Sequence, residues 1–290
     1  MNPEVYISGS LEWRHPSVYS GITNALKSHG VWVNVLHDCA NIWCRDFLPV
    51  QVKSERKYVR FAYDKYGGNY PVLSVPNSVY DCFDNITDSK IVLDGGGNCV
   101  SNHAGTVVIT DKVFTDNPKI SRAKIIKELE TLLEAHVVIV PTEPDDALGH
   151  ADGILNFISE NMVFINDYSR MGPIYGAYED KLKASLEING IHHRPFPYRY
   201  DACPQMLEEE FRIEHPHADD YNPGFGYYVN YLAIPNHVVV YPTFGLRQDG
   251  DAETLLRQKY GCDVVGVDCS SLSMEGGLIN CVTHNYQYKD

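Results

Sequence analysis

The runs Ile91-Val-Leu-Asp-Gly-Gly-Gly-Asn-Cys-Val100 and Thr106-Val-Val-Ile-Thr-Asp-Lys-Val113 flank the turn Ser101-Asn-His-Ala-Gly105. Behind them come Ser121-Arg-Ala-Lys-Ile-Ile-Lys-Glu-Leu-Glu-Thr-Leu-Leu-Glu-Ala135 and Val137-Val-Ile-Val140. The first two read as paired strands, being apolar runs rich in β-branched residues on either side of a polar turn. The third is a helix, with Ile125, Leu129, Leu132 and Leu133 on one face and Ser121 at the N-cap, and the fourth is a strand. The unit is therefore strand, strand, helix, strand.

The same order recurs. It is expected at 151–158, 162–167, 178–188 and 191–196, and again at 227–234, 237–242, 252–260 and 263–267. At the N-terminus strand 5–8, helix 18–28 and strand 31–36 lack a leading strand, while 278–284 is an orphan strand at the other end. A ring closes if the orphan joins the first unit. Residues 41–90 make a fifth, less regular unit, with strands at 42–52 and 58–64 and no good helix. Closed rings leave no open sheet edge and gather equivalent strands around one site. At 290 residues the chain is expected to form a single domain, 1–290, of α/β class. The stretch 198–226, with Glu208–Glu210, Asp219–Asp220 and His215-Pro-His217, is a solvated acidic loop or a lid.

Composition narrows the function. The chain is 44% hydrophobic and 21% charged, which excludes wholesale disorder and fibrous repeats. Its 38 acidic residues against 24 basic ones give a net charge of -14, a field that repels nucleic acid and anionic membranes and draws cations. No apolar run approaches the roughly 20 residues of a membrane helix, and residues 1–10 have no basic flank, so neither membrane insertion nor export is expected. The 8 cysteines are too sparse for a disulfide scaffold and lack zinc-site spacing. They are expected to be reduced, mostly buried thiols of a cytoplasmic protein. Oligomeric state is left open, a homo-oligomer among the choices.

Four short motifs fall at the starts of these units: Trp43-Cys-Arg-Asp46, Leu93-Asp-Gly-Gly-Gly-Asn98, Asp145-Asp-Ala-Leu-Gly-His-Ala-Asp152 and Glu275-Gly-Gly-Leu-Ile-Asn-Cys281. Singly each is weak, since a glycine run is usually a turn and a lone cysteine usually packing. Brought together they are a thiol, an imidazole and carboxylates. On an extended strand His150 and Asp152 would face the same way. Cys281 is then a nucleophile, His150 its acid/base partner, and Asp46 and Asp152 ligand-holding anions. Two carboxylates beside a thiol raise one another's pKa, a repulsion that a bound cation relieves. A guanidinium suits best, because carboxylates grip it edge-on and leave its central carbon open above and below the plane.

In this order the motifs resemble the agmatine deiminase and bacterial peptidylarginine deiminase family of the guanidine-modifying superfamily, the penteins. The Pro242-Thr-Phe-Gly245 turn and the helix start Asn117-Pro-Lys-Ile-Ser121 extend the resemblance over most of the chain from Asn41 onward. It implies a five-bladed pseudosymmetric α/β propeller built from ββαβ modules. It also implies Cys281 as nucleophile, His150 as general acid/base, Asp46 and Asp152 as guanidinium ligands, and Trp43 as a wall beside the substrate stem. The chain departs from the family where Asn280 stands for a histidine before the cysteine and Asp94 for a glutamate before the glycine pair, and it has shorter loops. Asp94 either caps the glycine turn or touches the ligand. Gly276 and Gly277 let backbone approach the substrate. Asp145 and Asp146 either face solvent or meet a distal amine.

The expected activity is cofactor-free and metal-free hydrolysis of a small cationic guanidine, agmatine-like first, to a ureido product and ammonia. The alternatives are an amidinotransferase on the same residues, a deiminase of free or peptidyl arginine, and a non-catalytic propeller that binds a partner. A carboxylate-tailed substrate would call for a basic residue at the rim, for which the sequence offers Arg170 and Arg247.

Overall fold

A strand that leads into a helix and returns parallel to itself must carry that helix across one face of its sheet. The computed structural model, which describes residues 3–63, 75–144, 146, 148–198 and 223–288, has five separate three-stranded sheets, each with one parallel pair, and among the described residues four of those pairs are joined through an α-helix. In the first, β1 (Glu4–Ser8) runs parallel to β2 (Trp32–Leu36) and antiparallel to β15 (Thr283–Tyr286), with Glu4 opposite both Trp32 and Tyr286. The orphan strand thus joins the N-terminal unit. The second sheet is β3 (Val50–Gln51), β4 (Tyr58–Ala62) and β5 (Ile86–Val92). The third is β6 (Val100–Ser101), β7 (Thr106–Thr110) and β8 (His136–Val140). The fourth is β9 (Leu155–Ser159), β10 (Met162–Asn166) and β11 (His192–Phe196). The fifth is β12 (Leu232–Ile234), β13 (Val238–Thr243) and β14 (Asp263–Asp268). In every sheet the middle strand is antiparallel to one neighbour and parallel to the other.

The middle strands are largely apolar on both faces because each serves two cores; Arg60 of β4, paired with Asp88, is an exception. In β7, Val107 and Ile109 pack with Ile125, Leu129 and Leu133 of the Arg122–Leu133 helix and with Val59 and Ile91 of the second sheet. Val108, pointing the other way, packs with Val163, Ile165, Leu182 and Leu186 of the fourth unit. Side chains of period two on one strand therefore fasten one unit to the next. The crossover helices Pro16–Ser28, Arg122–Leu133, Pro173–Glu187 and Arg247–Tyr260 cover the outer faces and close the spacing of their apolar stripes on these strands.

Several expectations change. No sheet among the described residues closes on itself, so each keeps its own edges and the expected loss of open edges is not met. The strand expected at 91–100 is divided: Ile91 and Val92 finish β5, and only Val100 and Ser101 remain for β6. Between them Gly95–Gly97 leave the ladder to lie on the backbone of Arg45 and Asp46, where a Cβ on Gly95 would come within 2.5 Å of the Asp46 carbonyl oxygen. The strand expected from 42 is a helical turn, Cys44–Phe47, ahead of the short β3. Residues Ala151–Gly153 form a 3-10 turn and the strand starts at Leu155; likewise β12 starts at Leu232 and β15 at Thr283, later than expected. In each case one polar residue ahead of the strand, Asp152, Asn230 or Asn280, is hydrogen-bonded to another of these segments. The unit at 41–90, which carries the second sheet, has a 3-10 turn, Asn77–Tyr80, where no helix was expected. Of the acidic stretch 198–226, residues 199–222 lie outside the described residues, as does Asp145. No helix among the described residues is long and apolar enough to cross a membrane.

Candidate active site

Each sheet's first strand, β3, β6, β9, β12 or β15, is preceded by a turn, and those turns meet. They bring Asp46, the 94–98 glycine turn, His150 with Asp152, Asn230, and the 276–281 segment to one place. The pocket between them has two lobes, of about 50 and 40 Å³. His150, Gly276, Gly277 and Cys281 border both, Asp146 and Asp152 the first, and Trp43 and Asp46 the second. Eight of the nine residues singled out from the sequence therefore share this pocket. Asp94 is the ninth: it lies behind His150, hydrogen-bonded to Nε2 at 2.7 Å.

The local chain explains the placement. Asp46 sits in the Cys44–Phe47 turn with its Oδ1 3.8 Å from His150 Nδ1. Asp146 accepts the amides of Leu148 at 2.8 Å and His150 at 3.2 Å, an Asx-type turn that fixes where His150 begins. Its carboxylate is engaged in shaping that turn while it borders the pocket. The Asp152 amide donates to the Gly97 carbonyl at 3.0 Å, stitching the 3-10 turn to the glycine run. So His150 and Asp152 face one pocket by way of a tight turn, where an extended strand was expected. Trp43 packs against Gly277, where a Cβ would run into the indole ring.

Gly97 is the tightest of these approaches. A Cβ there would fall 2.2 Å from Asp46 Oδ1 and 2.8 Å from His150 Nδ1. Gly97→Ala must then push apart the carboxylate and the imidazole, and a displacement near 1 Å costs roughly 100-fold in rate. A loss of that size in kcat/KM, with the melting temperature held within a few degrees, is the expected result; wild-type turnover would mean these two side chains need not approach.

Cys281 closes the pocket floor. Its Sγ lies 3.6 Å from Asp152 Oδ2 and accepts a hydrogen bond from Asn230 Nδ2 at 3.3 Å. Asn280, where the family pattern has histidine, donates its Nδ2 to the same Asp152 oxygen at 2.8 Å, and its amide donates to Asn230 Oδ1 at 3.0 Å. Burial pushes the Cys281 thiol well above its ordinary pKa, and Asp152 and Asp46 push it further. Burial also raises the Asp152 carboxyl, against the pull of His150, Asn280 and Arg45. The empty site thus favours an uncharged thiol among carboxylates, and a cation entering it would lower the cost of every negative charge there. Among the described residues no three His, Cys, Asp or Glu side chains are grouped to hold a metal ion.

Three features of the site were not read from the sequence. Asn230 lies in Tyr227-Tyr-Val-Asn-Tyr-Leu-Ala-Ile234, which looks like strand; only its position ahead of the fifth sheet, matching the other four turns, could have marked it. Arg45 stands next to Asp46 in sequence, where an ion pair with it is the ordinary reading; its side chain goes instead to Asn280 and Asn285. Glu275, at the rim, pairs with Arg14 and His15. Arg170 and Arg247 are exposed and border neither lobe.

Known proteins share this arrangement of sequence. The profile of the Porphyromonas-type peptidyl-arginine deiminases matches residues 17–286. A putative agmatine deiminase of Marinomonas sp. (strain MWYL1) is 25% identical, over 87% of this chain and 74% of its own length. The agmatine deiminase of Stutzerimonas stutzeri (strain A1501) is 27% identical over 66% of this chain and 56% of its own. Among solved structures, agmatine deiminase of Enterococcus faecalis superposes with a TM-score of 0.74 at 17% identity, covering 100% of this chain and 94% of that one. DDAH from Pseudomonas aeruginosa superposes with a TM-score of 0.58 at 13% identity, over 99% of this chain and 100% of that one.

Proposed function

The chain belongs to the family of Porphyromonas-type peptidyl-arginine deiminases, and from that premise we propose that it hydrolyses a guanidine to a ureido product and ammonia through a covalent bond to Cys281. The observation that carries this is the floor of the pocket, where one buried thiol faces Asp152 with Asp46 and His150 on the same walls. Asp46 and Asp152 hold the guanidinium by its edges. As the guanidinium binds, the Cys281 thiol gives up its proton to His150, the sulfur attacks the central carbon, the carbon–nitrogen bond to the departing amine breaks, and His150 passes that proton on to make it ammonia. Asp94 and Asp46, one toward each ring nitrogen, keep the imidazole oriented for that transfer. Water then adds to the same carbon, His150 takes its proton, and the carbon–sulfur bond breaks to return the thiol. One water is consumed and one ammonia released. The five sheets are the blades of a pseudosymmetric propeller forming a single catalytic domain, with the site where the blades' leading turns converge.

The substrate's far end is amine-tailed or neutral. Supporting this are the net charge of -14, Asp146 at the wall, and the engagement of Arg14 by Glu275. The test is mass-spectrometric detection of ureido product from agmatine, free arginine and a peptidyl arginine, with and without an added primary amine. The expected result is the highest kcat/KM for agmatine and no product from the amine. Faster turnover of arginine would demand a carboxylate clamp, and amidino transfer to the amine would replace water as the acceptor.

A further inference from the structure

Arg45 stands one residue before Asp46 and turns away from it. Its amide donates to the Cys281 carbonyl at 3.1 Å, and its Nε donates to the Asn280 carbonyl, also at 3.1 Å. One Nη donates to Asn285 Oδ1 at 3.0 Å. Its own carbonyl accepts the Gly96 amide at 2.8 Å. A single residue therefore ties the nucleophile's backbone, the glycine turn and the Asp46 turn together. Among the described residues its guanidinium contacts are all with neutral acceptors, a costly arrangement for a buried charge unless nearby anions compensate it.

Those anions are the reacting groups. Burial lowers the pKa of the Arg45 guanidinium, and Asp152 leads the groups that oppose this, followed by Cys281, Tyr286 and Asp46; Arg45 in return partly offsets the rise that burial imposes on the Asp152 carboxyl. On the other side burial, and after it the Arg45 charge, lowers the pKa of His284 and His103. Arg45 does not border the substrate pocket. It borders a second cavity of about 270 Å³, whose wall draws on the first strand of every sheet and which Asp152 separates from the substrate. The cation thus sits behind the carboxylate and the sulfur, on the side that a bound guanidinium does not reach.

We propose that Arg45 is the positioning residue of the nucleophile: it fixes the backbone of residues 280 and 281 from behind and holds a positive charge that lowers the cost of carrying negative charge on Asp152 and the Cys281 sulfur together. This rests on the deimination described above, which needs the sulfur as an anion beside a carboxylate. It also gives the chain's Asn280 a place, since the carbonyl of the residue that orients Asp152 is the one Arg45 grips.

The test is the pH dependence of Cys281 alkylation by iodoacetamide in the full, substrate-free chain, read by peptide mass spectrometry. Arg45→Met is expected to slow alkylation at a fixed neutral pH about tenfold, one pH unit in the profile. Arg45→Lys keeps the charge and loses the forked contacts, so its profile returns toward wild type while kcat stays low. Gly96→Ala, whose methyl would lie 2.5 Å from Arg45 Cδ, displaces the stem and is expected to shift the profile in the same direction as Arg45→Met. Should Arg45→Met not fold, Arg45→Gln takes its place. Wild-type profiles in every folded variant overturn the proposal, because a merely structural arginine leaves thiol acidity alone. The readout does not need turnover. A shifted profile in a chain that forms no ureido product keeps this inference and removes the deimination; an unshifted one in a chain that forms it does the reverse.

Discussion

Cys281→Ser is expected to lower kcat/KM by about 10⁴-fold or more while the protein stays folded, a loss of the size seen when a nucleophile is removed. The fold should survive because the hydroxyl inherits the thiol's partners. Asp152 Oδ2, 3.6 Å from the sulfur, can accept from it and Asn230 Nδ2, at 3.3 Å, can donate to it. Chemistry should not survive. A serine hydroxyl is far less acidic than a thiol, and burial beside Asp152 and Asp46, which already drives the thiol upward, would put the alkoxide out of reach. The check is steady-state turnover together with thermal unfolding and guanidine binding by calorimetry. The variant should bind and not turn over. Turnover within tenfold of wild type in a folded variant would end the covalent mechanism and leave His150 activating water directly.

How much of this was legible beforehand depended on how far each residue's part is carried by its own neighbours in sequence. The repeat of strand, strand, helix and strand was legible because a middle strand such as β7 is buried on both faces and its helix carries a stripe at Ile125, Leu129 and Leu133. Strand beginnings were not, because the residues just before β6, β9, β12 and β15 are the ones the site withdraws from the ladders. Gly95–Gly97 look like the end of a strand until the Arg45–Asp46 backbone is laid against them. Asp46, His150, Asp152 and Cys281 stood out as polar or reactive residues in compact motifs. Asn230 and Arg45 did not, since an asparagine in an aromatic strand and an arginine beside an aspartate each have an ordinary explanation nearby. Their actual partners, Cys281 and Asn280, are far along the chain, and only the meeting of the leading turns of the fifth, first and second sheets brings them close.

Asp152→Asn separates the two tasks of the site, because it should move turnover and thiol acidity in opposite directions. The substitution preserves size, and the amide orientation that keeps oxygen at the Oδ2 position still accepts from the Asn280 Nδ2 that now donates to the carboxylate at 2.8 Å. What disappears is a buried negative charge and one of two acceptor oxygens for the guanidinium. Breaking a buried ion pair costs about 3–5 kcal/mol, so kcat/KM should fall by roughly 10² to 10³·⁵. The same charge is, after burial, the largest cause of the raised Cys281 thiol. With its pKa raised in the folded chain, the thiol is protonated at neutral pH; deleting Asp152 lowers that pKa, so the anion appears at lower pH and alkylation by neutral iodoacetamide quickens. Arg45→Met should slow the same reaction, since it removes the opposite charge. A loss in kcat/KM below about tenfold, which is 1.4 kcal/mol, would mean that Asp152 does not hold the substrate. Slower alkylation in Asp152→Asn would mean that the carboxylate helps the thiol ionise, acting as its proton acceptor across the 3.6 Å contact. The two variants together read the sign of the field at the sulfur from both sides, in the empty protein, before any substrate is identified.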